Sequence, residues 1–130
     1  MTLKAIQTDQ APAAIGPYSQ AIIAPPWLFV SGQLGINPKT GELAGVTLSA
    51  QAKQALENMR NVIQAAGLTL DDVVSVDVFM TNIGAFEEFN GIYETFFTPH
   101  RPARAVVQVS GLPKGARLEI KCIACRGDAA

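Results

Sequence analysis

The stretch Val73-Val-Ser-Val-Asp-Val-Phe-Met80 decides the fold. It is rich in β-branched side chains and alternates, with Val74, Val76, Val78 and Met80 on one side and Ser75 and Asp77 on the other, the two-residue period of a strand. An interior strand is predicted, and on both flanks the period changes. Before it, Ala52, Ala55, Leu56, Met59, Ile63 and Ala66 recur at three- and four-residue spacing, the apolar stripe of an amphipathic helix. That helix starts near Ala50, with Ser49 as its N-cap and Gly67 just past its end. After the strand, Phe86, Phe89, Tyr93, Phe96 and Phe97 keep helical spacing over residues 85–97, and Pro99 marks the stop.

Further out, residues 103–109 and 117–125 read as two late strands. Towards the N-terminus, residues 4–8 form a short strand, and residues 19–24 and 27–31 form a hairpin joined through Pro25-Pro26. Asn37-Pro-Lys-Thr-Gly41 supplies turn chemistry between the hairpin and the first helix. The order predicts an α+β two-layer sandwich, a mixed sheet with two helices on one face. The sheet's other face then needs a cover of its own.

Composition is consistent with that need. The chain has 130 residues, and residues 1–130 fit one domain able to bury roughly two thirds of its unfolded surface. Charged residues are 16% against 48% hydrophobic, below the roughly 25% charged usual for soluble domains, so further apolar surface is expected to be buried between subunits. Ten basic residues balance eleven acidic ones for a net charge of −1, without the Lys/Arg cluster that neutralises phosphates, and nucleic acid is not an expected partner. Met1-Thr-Leu-Lys-Ala-Ile-Gln carries no basic segment followed by an apolar one, as a secretory leader would. The most apolar run, residues 21–30, is broken by Pro25 and Pro26 and is shorter than the roughly 20 residues that cross a bilayer. A soluble, cytoplasmic protein without a membrane partner is expected.

Several motifs reduce to structure. Cys122-Ile-Ala-Cys125 matches the C-x-x-C pattern, but on a strand these side chains point to opposite faces about 10 Å apart, beyond the roughly 7 Å limit for a disulfide. With one histidine, no four-ligand zinc site can be assembled from one chain, and no metal is expected. His100 reads as a solvated turn histidine. Lys39-Thr-Gly41 lacks the Ser-x-x-Lys that would make it a β-lactamase element, and Gly32-Gln-Leu-Gly35 is too short for a phosphate cradle. Arg104 and Glu119 differ, because each sits in a strand among apolar residues. An arginine is rarely buried unless paired, so each is either a solvated edge residue or part of a pocket for a small carboxylic acid.

Together these segments resemble the RidA/YjgF family of enamine/imine deaminases over nearly the whole chain. The resemblance is carried by Ala14-Ile-Gly-Pro-Tyr-Ser-Gln-Ala21, Phe29-Val-Ser-Gly-Gln33, Asn37-Pro-Lys-Thr-Gly-Glu42, Gln54-Ala-Leu-Glu-Asn58 and Phe89-Asn-Gly-Ile-Tyr93. Most specific is Arg101-Pro-Ala-Arg104 through Leu112-Pro-Lys-Gly-Ala-Arg-Leu-Glu-Ile120. It implies a chorismate-mutase-like fold, assembled as a homotrimer around a central barrel with clefts between subunits. By position it implies Arg104, Glu119, Tyr18 and Ser31 as catalytic residues, and Arg104, Val106, Gly32 and Asn90 as substrate-binding ones. Val106 stands where many members carry cysteine, and Lys121 replaces a second glutamate.

The resemblance further implies substrates such as 2-aminoacrylate, 2-iminopropanoate and 2-iminobutanoate, hydrolysed without a cofactor to 2-keto acids and ammonia. Arg104 would clamp the carboxylate through two parallel hydrogen bonds. Glu119 would hold and deprotonate the attacking water. Tyr18 and Ser31 would meet the imine nitrogen or that water, and Asn90 would brace the pocket. The rival readings are a non-catalytic keto-acid-binding or chaperone-like trimer, and a ribonuclease or translation inhibitor.

Overall fold

A computed structural model describes residues 2–127. In chain order the elements are β1 (Lys4–Ile6), β2 (Ala21–Ala24), β3 (Trp27–Leu34), α1 (Leu48–Ala65), β4 (Val73–Met80), α2 (Phe86–Phe96), β5 (Ala103–Gln108) and β6 (Leu118–Cys125). The strands form one mixed sheet in the order β1-β2-β3-β6-β4-β5. β4 and β5 run parallel across the α2 crossover and the other neighbours are antiparallel. This is the predicted α+β arrangement, with β4 interior and its bounds as read from the sequence.

Helix α1 packs on β3, β6 and α2 and buries Ala52, Ala55, Leu56, Met59, Val62 and Ile63 completely. Its N-cap is Thr47 rather than Ser49: the Thr47 side chain accepts from the Ala50 N–H at 3.2 Å. Starting earlier brings Leu48 into the first turn, where it is buried, while the Ser49 hydroxyl donates to Glu88 Oε2 at 2.6 Å. At the other end Gly67, at φ +82, lets its own N–H reach the Gln64 carbonyl and that of Leu68 reach Ile63. That pair of bonds satisfies two of the free carbonyls at the end of the helix. Asn58 is fully buried and donates to the carbonyls of Leu34 and Ile36, fixing α1 to the chain leaving β3. Gly35 makes this approach possible, since a Cβ there would collide with the Gln51 backbone.

Two pairing shifts depart from the sequence reading. Val74 is 41% exposed rather than sharing a face with Val76, Val78 and Met80, which are fully buried. The β4–β6 register shifts between Val73 and Ser75, and the extra residue reverses the alternation there. A second shift, between Val30 and Gln33, carries β3 on to Leu34 instead of ending it at Ser31. His100 is also not a solvated turn residue. It is half-buried, and its Nε2 lies 2.6 Å from the Val73 carbonyl.

Register partners across a sheet share a face. The face away from the helices therefore carries Phe29, Phe79, Ile123 and Val107, with Phe29 45% and Val107 46% exposed. Edge strand β5 is exposed along nearly its whole length. Cys122 lies buried towards the helices and Cys125 beside Trp27 on the other side, both as free thiols. No helix among the described residues is long and apolar enough to cross a membrane.

Candidate active site

Glu119 sits on β6 opposite Leu34 and Phe79, so its side chain projects from the helix-free face. It is half-buried and lines a cavity of about 660 Å³ together with Tyr18, Ser31, Gly32, Ile15, and Lys114. The register shift in β3 lets Gly32 lie directly beneath the carboxylate; a Cβ on it would come within 2.8 Å of Glu119 Cδ. The Ser31 hydroxyl donates to the Ser19 carbonyl at 2.6 Å, which leaves its oxygen free to accept a further bond. Tyr18 is 52% exposed on the segment leading into β2. That segment is fixed by Gln20, whose buried amide accepts from Thr8 N–H at 2.7 Å and donates to the carbonyls of Thr8, Ala11 and Pro12.

Arg104 lies elsewhere. On β5 it pairs with Val76, Val106 with Val78, and Gln108 with Met80, so all three share the helix-covered side of the sheet. Its guanidinium carbon stands 4.6 Å from the centroid of the Tyr93 ring and 5.7 Å from that of Phe86, both on α2. With Asn90, Tyr93, Glu94, Phe97 and Arg101 it lines a second cavity of about 470 Å³. Burial pushes the Tyr93 hydroxyl up to about 12, against the opposing pull of the Arg104 charge. Burial alone raises Cys122 to a similar value. Val106 is half-buried against the core and lines neither cavity.

The predicted residues thus fall into two groups. Tyr18, Ser31, Gly32 and Glu119 share one cavity, and Asn90 and Arg104 share another. Strand β4 and the thickness of the sheet separate them, so one chain does not bring the carboxylate and the guanidinium together. Two residues escaped the sequence reading. Lys114 reaches the first cavity from a turn where it takes φ +61, and its Nζ donates to the Gly41 carbonyl at 3.3 Å; the Pro-Lys-Gly sequence was the available signal. Tyr93 read as part of an apolar helical stripe and as the end of the family-like segment Phe89-Asn-Gly-Ile-Tyr93, with no role of its own. A third cavity, of about 800 Å³ around Glu42, Ser110 and Arg117, holds none of the predicted residues. Among the described residues no cluster of His, Cys, Asp and Glu side chains could hold a metal ion.

A family model described as endoribonuclease L-PSP matches residues 8–126. A rat protein named 2-iminobutanoate/2-iminopropanoate deaminase is 45% identical over 124 residues, which cover 95% of this chain and 90% of that protein. Among solved structures, the Yersinia pestis protein YyfA, of unknown function and of the conserved Rid protein family, has a TM-score of 0.93 at 45% identity, covering 95% of this chain and 99% of that one. Escherichia coli TdcF, solved with bound serine, has a TM-score of 0.91 at 41% identity, with 95% and 99% covered.

Proposed function

This chain belongs to the RidA/YjgF family, the family of the endoribonuclease L-PSP model, and from that premise we propose that it is an enzyme hydrolysing 2-imino acids to 2-keto acids and ammonia. The relative named 2-iminobutanoate/2-iminopropanoate deaminase supports this substrate class, and so does the chemistry of the two half-sites. One observation carries the reading furthest. A guanidinium held against rings and a carboxylate held against a glycine lie on opposite faces of one sheet, each in its own open cavity.

Such halves complete one another between chains. In a ring of subunits the Arg104 cavity of one protomer meets the Glu119 cavity of the next, a head-to-tail contact that closes as a trimer. The exposed β5 strand and the uncovered face bearing Phe29 and Val107 provide the surface for it. This arrangement also answers the low charged fraction of the chain.

Arg104 then clamps the substrate carboxylate by paired N–H donors. One water, oriented by Glu119, adds to the C=N carbon, a positioned attack in place of a random encounter. One water proton passes to nitrogen by way of the carboxylate to give the carbinolamine; its hydroxyl proton follows by the same route, and the C–N bond breaks to release ammonia and leave the keto acid. Tyr18 and the free lone pairs of Ser31 hold the water or the nitrogen. Imines are already electrophilic, and no cofactor enters the scheme. A net charge of −1 weighs against the ribonuclease reading, because nonspecific RNA binding is largely phosphate neutralisation.

The test is the disappearance of freshly generated 2-iminopropanoate with and without the protein. Acceleration by the wild type that Arg104→Ala abolishes supports the reading; no acceleration overturns it. Co-expressing Arg104→Ala with Glu119→Gln tests the shared site. Mixed trimers should recover roughly a quarter of wild-type activity, because each interface draws its two halves from different chains. Activity no higher than in either variant alone would place both groups in one chain's site.

A further inference from the structure

The Arg104 cavity contains a residue to which neither the family resemblance nor the reaction scheme gives a role. Tyr93 is only 8% exposed, its ring lies under the Arg104 guanidinium at 4.6 Å, and its hydroxyl is buried without a hydrogen-bond partner. Asn90 Oδ1, one helical turn earlier and lining the same cavity, is buried and unpartnered too. Leaving buried polar atoms unpaired destabilises a fold unless an occupant meets them. Two such atoms beside a guanidinium mark a space built for a polar ligand.

The ring also has a specific consequence for the arginine. A face-on aromatic holds a guanidinium by its charge and plane without occupying its N–H donors, whereas a carboxylate partner would consume them. The Phe89 and Phe97 rings pack on Tyr93 at 5.6 and 4.8 Å, and Phe89 and Phe97 are themselves buried. The platform is therefore rigid while the donors stay free.

We propose that Tyr93 is the positioning residue for Arg104, its ring fixing the guanidinium plane so that both forward N–H groups face the substrate carboxylate. This rests on the imine-hydrolysis reading for the identity of the ligand, and binding of a keto acid tests it separately from turnover. The experiment measures 2-oxobutanoate affinity by calorimetry, together with KM and kcat on the imine, for four proteins. These are the wild type, Tyr93→Phe, Tyr93→Leu and a control, Phe96→Leu. Phe96 lies on the same helix and carries a cation too, Arg60 at 5.2 Å, yet does not line this cavity.

Tyr93→Leu should weaken keto-acid binding roughly tenfold and raise KM alike, with a smaller change in kcat, in keeping with the loss of a desolvated cation–ring contact. Tyr93→Phe should bind within about threefold of wild type, since it keeps the ring and loses at most one neutral hydrogen bond to the ligand, and should melt no lower without ligand, where that hydroxyl has no partner. Phe96→Leu should lower the melting temperature and leave affinity unchanged, the outcome a merely structural role would give at both positions. If Tyr93→Leu does not fold, Tyr93→Met makes the same comparison. Phenylalanine failing to rescue, leucine binding as well as wild type, or Phe96→Leu weakening affinity equally would each overturn the proposal. A wild type showing this binding pattern without hastening imine loss would overturn the reaction and leave Tyr93 in its role. A wild type that hastens imine loss with all variants alike would overturn the role of Tyr93 alone.

Discussion

Glu119 is backed by strand backbone, a glycine and a segment pinned by amide hydrogen bonds, in a cavity that also exposes Ile15, Leu34 and Ile36; Arg104 rests on aromatic rings of a helix. Gln20 makes four hydrogen bonds to hold the segment before β2 in place, and Gly32 admits the carboxylate against the β3 backbone. Arg104 instead rests on Tyr93 and Phe86. The difference matches two chemical tasks. A group that moves a proton must be fixed to within a hydrogen-bond length of a water, which a polar scaffold does well. A group that grips an anion needs every donor facing the ligand, which a ring platform allows.

The largest expected effects test whether the two halves divide the reaction in this way. Glu119→Gln keeps shape and removes the base, so kcat should fall by about 10²–10⁴ while keto-acid affinity stays near wild type. Arg104→Ala should act first on binding. Loss of one partner of a desolvated charge pair is worth about 2–5 kcal/mol, roughly 30- to 5,000-fold in KM or dissociation constant. Steady-state kinetics with a calorimetric titration separates the two. A glutamine variant that lost affinity as badly as turnover would break the division.

Two glycines sharpen the comparison at a smaller scale. Gly32→Ala pushes the new Cβ into the Glu119 carboxylate. A carboxylate displaced by about 1 Å should lower kcat on the order of 10²-fold, with little change in melting temperature. Gly35→Ala pushes instead into the Gln51 backbone of α1. Overpacking of that kind destabilises by about 1–3 kcal/mol, and the folded fraction should turn over normally. Chemical denaturation and kinetics on both variants would show opposite profiles, one catalytic and one structural.

How far the sequence carried the fold depended on how local each cause was. The alternation of residues 73–80 and the glycine after α1 are written in adjacent residues, and both elements end where that chemistry puts them. Val74 and the continuation of β3 through Gly32 depend on pairing with β6, far along the chain, and no local period reports a register shift. The N-cap moved to Thr47 because Leu48 is drawn into the core, a tertiary pull on a boundary that Thr47 and Ser49 could each have set. The candidate site was legible as a set of residues but not as two halves. Placing Arg104 and Glu119 on opposite faces takes the register of β5 on β4 and of β4 on β6, and strand patterns give neither. Tyr93 was hidden for the opposite reason. Its helical spacing already explained it as core, so nothing in the pattern called for a second role.

The smallest expected effect concerns how each half is tied down. His100 precedes β5, and its Nε2 lies 2.6 Å from the Val73 carbonyl at the start of β4. An acceptor carbonyl requires the nitrogen to carry the proton, so the ring donates there and ties the entrance of the Arg104 strand to its parallel neighbour. The counterpart in the other half is Gln20, with four bonds instead of one. Gln20→Leu leaves a buried carbonyl of Ala11 and partly buried backbone groups of Thr8 and Pro12 without partners and should destabilise by about 1–3 kcal/mol. His100→Ala removes one net hydrogen bond, about 1 kcal/mol, and should raise KM slightly without touching kcat, because the freed segment leads directly into β5, which carries Arg104. His100→Gln, which offers an N–H of comparable reach, should restore the wild-type KM. If His100→Ala lowered kcat and left KM alone, β5 would be acting on the water-handling half, and the assignment of binding to rings and proton transfer to the polar scaffold would have to be reversed.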